Sequence, residues 1–343
     1  MSPSRAGRTV PCAAVFPGQG AQYAGMGREL AERFPEAREV FRRASDAAGL
    51  DLYRLCVEGP DDALRQTVNT QPAILTASLA CLATVPLDPS CAAGLSLGEY
   101  TALVCAGAVS LEDAVRLVRL RGRYMQEAGE GLDTMMAAVV GLEASRVRAV
   151  CDAHAHLGVV EPSNFNSPGQ VVVGGEAAAV RAVLDAARAA GARRAIPLAV
   201  SAPFHTRLMA PAAARLAADL ERLPLRDARI PVIANVSAAP VRTADEIRRA
   251  LLAQVDSPVR WEESVRAMAA DGIGLFVEVG PGTTVSGMIR RTAEGAVTCH
   301  VEDVASRDET LALLAAAAAP NREEGARTAP RPGDGPDREG ARR

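Results

Sequence analysis

The chain has no lysine; all 38 of its basic residues are arginine. With the abundance of alanine, this points to a GC-rich gene and says nothing of function. Aromatic residues make up only 3% of the chain, with a single tryptophan. There are four histidines, so any histidine chemistry has few candidates. No apolar run reaches the ~20 residues that span a bilayer. The polar start, Met1 to Thr9, is too short for a secretory signal. Seven cysteines are present without a C-x-x-C pair. Scattered and odd in number, they fit a reducing, cytoplasmic setting better than a disulfide framework. His and Cys do not cluster at ligand spacing, so no metal is expected. A net charge of −3 gives no electrostatic footprint for nucleic acid or an anionic membrane.

What is present is a sizeable apolar fraction, 48% of 343 residues. That suffices for two or three domains, or one large domain with an insert. The most informative stretch is Cys91-Ala92-Ala93-Gly94-Leu95-Ser96-Leu97-Gly98-Glu99. A small apolar run stops at Gly-x-Ser-x-Gly and a helix-favouring run follows, which is the pattern of a nucleophile elbow. Glycines fit where strand and helix approach too closely for a Cβ. A serine there sits at a helix N-terminus, where unpaired N–H groups favour an oxyanion. In a chain rich in Ala and Gly the pattern also arises by chance.

Val10 to Phe16 reads as a buried strand running into Pro17-Gly18-Gln19-Gly20. Alone, this is a simple strand–helix turn as readily as a site, and it is too short for a dinucleotide fingerprint. Residues 27–49 and 61–84 show helical periodicity, with Pro35 and Pro72 near helix starts. Ser110, with Asp113 three residues on, starts the next helix as an N-cap. On that helix Arg116, Arg119 and Arg123 share a face, while Arg121 points among Leu117, Leu120 and Met125. An arginine aimed inward needs an anion, unless it snorkels or pairs with an internal carboxylate.

From residue 134 the spacing predicts strand 134–141, helix 143–155, strand 158–162, a turn over 164–169, strand 170–174, helix 176–191 and strand 194–200. That β-α-β-β-α-β order is ferredoxin-like. His154 and His156 lie on a polar helix end and face solvent on this reading. Phe204-His205 follows at a proline-containing junction. His300 lies in an apolar late strand and reads as structural. If Ser96 needs a base, His205 is the candidate left. Further strands are predicted at 230–236, 275–279 and 297–301, and a helix at 311–319. The expected fold class is therefore α/β. A large α/β-hydrolase-like domain with a parallel sheet, 1–132 and 200–319, carries an inserted ferredoxin-like domain, 133–199. Residues 320–343 read as a disordered tail. Gln19, Ser96, Asn235 and Gly280 all fall at strand C-terminal ends, where such sheets carry their sites.

These motifs together resemble the malonyl-CoA:acyl-carrier-protein transacylase family of fatty-acid and polyketide systems. The resemblance rests on Phe16 to Gln22, Gly94 to Glu99, Leu120-Arg121-Gly122 with Met125-Gln126, Asn164 to Gln170, Phe204-His205 and Glu278 to Gly282, in order over about residues 10–315. It implies a Ser96–His205 dyad with the backbone carbonyl at Gln254 orienting the histidine. It implies an oxyanion hole from the Gln19 and Leu97 N–H groups, and Arg121 paired with the malonyl carboxylate. Phe204 matches malonyl-selective members. Leu95 stands where many members have histidine, which leaves acyl preference open. The implied partners are malonyl-CoA and an acyl carrier protein, acting on a monomer. No cofactor is implied, since coenzyme A thioester and phosphopantetheine are substrates. The competing readings are a carrier-protein thioester hydrolase of the same fold, which needs no carboxylate clamp, and a non-catalytic docking module.

Overall fold

A computed structural model describes residues 11–318; the tail expected over 320–343 lies outside the described residues. The strands, in chain order, are β1 (Cys12–Phe16), β2 (Cys91–Gly94), β3 (Thr134–Val140), β4 (Val160–Ser167) and β5 (Gln170–Glu176). They continue with β6 (Arg194–Leu198), β7 (Val232–Ile233), β8 (Pro240–Val241), β9 (Leu275–Val279) and β10 (Val297–Val301). They form two sheets, ordered β10-β9-β1-β2-β7-β8 and β4-β5-β3-β6.

In the first sheet β10, β9, β1, β2 and β7 run parallel, and only the short β8 is antiparallel. Parallel strands need crossovers, and the crossover helices cover both faces. This is why β1 reads as an unbroken apolar run rather than an alternating one. Ala14 and Phe16 enter one hydrophobic cluster with Ile74 and Leu103; Ala13 and Val15 enter another with Trp261 and Phe276. A fully buried side chain such as Phe16 contributes about 1.5–3 kcal/mol. The helix Thr67–Ala83 is buried nearly all round, as expected of a helix under the sheet.

The second sheet is antiparallel throughout. With the helices Ala144–His154 and Ala177–Ala189 its elements run in the expected β-α-β-β-α-β order. Its apolar face is separate from the large core and gathers Val139, Phe165, Val173 and Val183.

Several boundaries differ from expectation. The stretch 27–49 divides into Arg28–Arg33 and Pro35–Ala48. Phe34, held extended before Pro35, cannot continue the first helix. The stretch 61–84 divides at the extended Gln66, which leaves Pro72 inside a helix instead of near its start. An unexpected short helix, Leu52–Glu58, is capped by Asp51. The turn expected over 164–169 contracts to Pro168-Gly169, because Asn164, Phe165 and Ser167 pair with β5. The strand expected over 230–236 keeps only Val232–Ile233, since Asn235 leaves the ladder to bond the turn after β2. The late helix begins at Val304, where Asp303 accepts the Ser306 N–H.

Candidate active site

Ser96 stands between β2 and the helix Leu97–Cys105, with φ 53° and ψ −100°. Non-glycine residues avoid this region, so the surroundings must hold it there. The hold begins with two glycines. A Cβ on Gly94 would lie 1.9 Å from the Gly98 carbonyl carbon, and one on Gly98 would lie 2.4 Å from the Phe16 carbonyl oxygen. Only with both Cβ atoms absent can β2, its helix and the end of β1 meet this closely. Asn235 then ties the turn: its Oδ1 accepts the Ser96 N–H at 2.7 Å and its Nδ2 donates to the Gly94 carbonyl at 2.8 Å.

His205 also has a positive φ, 60°. Its Nε2 lies 2.7 Å from Ser96 Oγ, and its Nδ1 lies 2.8 Å from the Gln254 carbonyl oxygen. The carbonyl can only accept, so Nδ1 carries the proton and Nε2 is the acceptor. Burial, with the Arg121 charge acting in the same direction, pushes His205 down to about 3. The ring is therefore neutral at physiological pH and able to take a proton.

Arg121 projects from the helix Leu111–Gly129, whose N-cap is the expected Ser110. It is 1% exposed. Nη1 donates to Gln71 Oε1 at 2.9 Å, while Nη2 donates to Gln254 Oε1 at 2.9 Å and to Ser96 Oγ at 3.1 Å. Its Nε has no partner, and the guanidinium lies over the Tyr100 ring, 5.2 Å from the centroid. Among the described residues it makes no ion pair with a carboxylate. Burial lowers its pKa, which leaves a cation with neutral hydrogen-bond partners. The sequence alternatives of snorkelling and of direct pairing with an internal carboxylate are thereby removed.

The cleft above Ser96 has a volume of about 230 Å³ and is lined by Gln19, Leu95, Ser96, Leu97, Arg121 and His205. Its far wall comes from the small sheet and the junction after it, through Met136, Val172, Leu198, Val200 and Phe204. Neither the Gln19 nor the Leu97 N–H donates to a protein acceptor among the described residues. The Gln19 side chain instead donates to Thr67 Oγ1 at 3.3 Å. Gly280 ends β9 behind Pro17 and does not line the cleft. His154 and His156 stay outside it on local backbone contacts, and His300 remains in β10. The described residues contain no cluster of three or more metal-ligating side chains, and no helix long and apolar enough to cross a membrane.

The sequence reading did not find Gln71, which holds Arg121, or the role of Asn235 and Glu99 behind the elbow. A polar Asn-Thr-Gln run in a largely apolar helix is the one local signal for Gln71.

A serine on a strained strand–helix turn, a neutral imidazole on its hydroxyl and free N–H groups beside it are the groups that acyl transfer calls for, and the fold and site fit an acyl-transfer enzyme. The comparisons agree. The sequence matches the family described as acyl transferase domain over residues 14–324, and the chain belongs to that family. It is 45% identical over 284 residues to the malonyl CoA-acyl carrier protein transacylase of Escherichia coli K12, covering 82% of this chain and 92% of the relative. The structure of an acyl carrier protein S-malonyltransferase from Vibrio cholerae superposes with a TM-score of 0.85 at 43% identity, covering 87% of this chain and 99% of that one. A malonyl-transacylase solved in complex with a type II polyketide synthase acyl-carrier protein gives 0.86 at 43% identity, with 88% and 99% covered.

Proposed function

We propose that this acyltransferase moves a malonyl group from coenzyme A to the phosphopantetheine thiol of an acyl carrier protein, through a malonyl-Ser96 intermediate. The observation that carries the reading is Arg121: a buried cation with no carboxylate in direct contact, one nitrogen of which is 3.1 Å from Ser96 Oγ. A diacid thioester supplies an anion for direct contact on the same molecule as the carbonyl that Ser96 attacks.

The steps follow from the groups in place. Ser96 Oγ attacks the thioester carbonyl while its proton passes to His205 Nε2. The imidazolium that forms is held by the Gln254 carbonyl on Nδ1. The Gln19 and Leu97 N–H groups stabilise the tetrahedral oxyanion. The C–S bond breaks, the coenzyme A thiolate takes the proton from Nε2, and malonyl-serine remains. The carrier thiol then reverses the sequence: it gives its proton to His205, attacks the ester carbonyl and releases Ser96. The two half-reactions make the kinetics ping-pong. No cofactor enters this scheme. All these groups come from one chain, so we read the working unit as a monomer. The seven cysteines are free thiols, in keeping with a cytoplasmic setting. A thioester hydrolase would have no use for a guanidinium beside its nucleophile, and a docking module none for the Ser96–His205 contact.

The test is intact-mass measurement of the protein after mixing with malonyl-CoA, then with unloaded carrier protein. The expected result is one malonyl adduct on the unmutated protein, its loss on adding carrier, malonyl-carrier as product, and no adduct on Ser96→Ala. An adduct that persists on Ser96→Ala, or one released only as free malonate, overturns the reading.

A further inference from the structure

Two carboxylates are buried near the strand ends of the parallel sheet, and the steps above use neither. Glu278 has a complete structural role: its oxygens accept the N–H groups of Val285 and Ser286, at the start of the helix Thr284–Thr292. Glu99 differs. It is 1% exposed, and its Oε2 accepts the Asn235 N–H at 2.9 Å and the Gln254 Nε2–H at 2.8 Å. Burial pushes it up to about 7 against the opposing pull of these two donors and Arg121, so it carries its full charge above that pH. Both partners lead to the cleft. Asn235 holds the Ser96 N–H. The Gln254 side chain donates to the Ser96 carbonyl at 3.0 Å and accepts from Arg121, and its own carbonyl holds His205.

The Gln254 amide thus lies between a buried cation and a buried carboxylate, oxygen toward the guanidinium and nitrogen toward Glu99. An amide dipole so placed cannot turn over without facing like against like at both ends. We infer that Glu99 is a positioning residue: its carboxylate is the internal counter-charge of Arg121, transmitted through the Gln254 side chain, and this line of groups fixes Arg121 and His205 about Ser96. The counter-charge also holds down the pull of Arg121 on an incoming carboxylate, so that malonyl is bound without being retained. This rests on Arg121 as the malonyl clamp.

The experiment is single-turnover acylation at about pH 8.5, where Glu99 is ionised, by quenched-flow intact mass, with malonyl-CoA and with acetyl-CoA as the neutral donor. Glu99→Gln keeps the shape and an acceptor oxygen but removes the charge. Without the counter-charge, half-saturation for malonyl-CoA tightens by about threefold to tenfold and that for acetyl-CoA does not move. The limiting acylation rate falls about tenfold with both donors, because Gln254 is held less firmly and His205 faces an uncompensated cation. Glu99→Asp keeps the charge with a shorter reach; it holds the malonyl half-saturation within about twofold of the unmutated protein. A purely structural role would lower melting temperature and rates without separating the two donors. Unchanged or weaker malonyl half-saturation in Glu99→Gln, or equal tightening in Glu99→Asp, overturns the inference. The unmutated protein is the control. If it forms no malonyl-serine, the transfer reading falls and takes this inference with it; a normal control beside an unresponsive Glu99→Gln removes the Glu99 role alone.

Discussion

The two sheets bring opposite kinds of chemistry to one cleft. The parallel sheet presents strand ends, where Ser96 and Asn235 are held through their own backbone N–H groups, by Asn235 Oδ1 and Glu99 Oε2, and where the His205 ring, reaching in from the junction after the small sheet, meets the Gln254 carbonyl. The antiparallel sheet presents side chains from its flank. Met136, Val172 and Leu198 give an apolar wall, beside which β4 adds the amides of Asn164 and Asn166, and none of these groups titrates. The difference is one of geometry. Parallel strands end together at one edge, with helix N-termini and loops gathered there. An antiparallel sheet sends alternate ends both ways, and what it offers a neighbour is a surface of alternate side chains. On the proposed reaction, the bond-making groups gather at the strand ends, and the small sheet bounds the space for the acyl group.

The sharpest way to break that division is Arg121→Ala. We expect malonyl transfer to fall by about 10²–10³ and acetyl transfer by much less, since the lost interaction is a charge-assisted pair with the substrate carboxylate. Steady-state kcat/KM with the two donors measures it; equal losses would show that Arg121 supports the fold of the site and not the diacid.

The next largest effect is in pH. His205 in the folded protein sits at about 3, below its ordinary 6.5, so it stays neutral as pH falls through 6.5. The kcat/KM profile for malonyl-CoA is expected to lack the roughly tenfold drop by pH 5.5 that an unperturbed histidine would give. The same shift has a sign for stability. A depressed folded value contributes stability above pH 6.5 that is lost as pH falls toward 3, where the buried ring must take a charge. An acid limb centred near 6.5 would show a solvated, unperturbed base.

The smallest effect tests the wall. Phe204→Ala opens the apolar side without touching the dyad. The preference for malonyl over methylmalonyl thioester should drop by roughly tenfold, the scale of one methyl contact. Competition between the two donors, read by mass, decides it. An unchanged preference would move the control of acyl size from the wall to Leu95 and the elbow.

Much of this was legible beforehand, for physical reasons that differ by residue. Gly94-x-Ser96-x-Gly98 was readable because close strand–helix approach admits only hydrogen at two positions. Arg121 was readable because helical spacing put a charge among apolar neighbours. The second sheet was readable from its alternation and its turns. Pro72 and the 164–169 turn were misplaced because tertiary contacts there outweigh local preference. Buried packing keeps a proline within helix Thr67–Ala83, and β5 extends β4 through a sequence that otherwise favours a turn.

The element types, the two-sheet layout and the candidates for nucleophile, base and cation can be read from the chain alone, because local sterics and the burial of apolar faces leave their mark on short stretches. Only the tertiary structure decided how those groups are held. Gln71, Asn235, Gln254 and Glu99 come from four separate stretches of chain, and no single stretch shows which of the others each one meets. Their significance lies in hydrogen bonds across separations of 50 to 155 residues, and pairings that distant are set by the packed core and not by local preference.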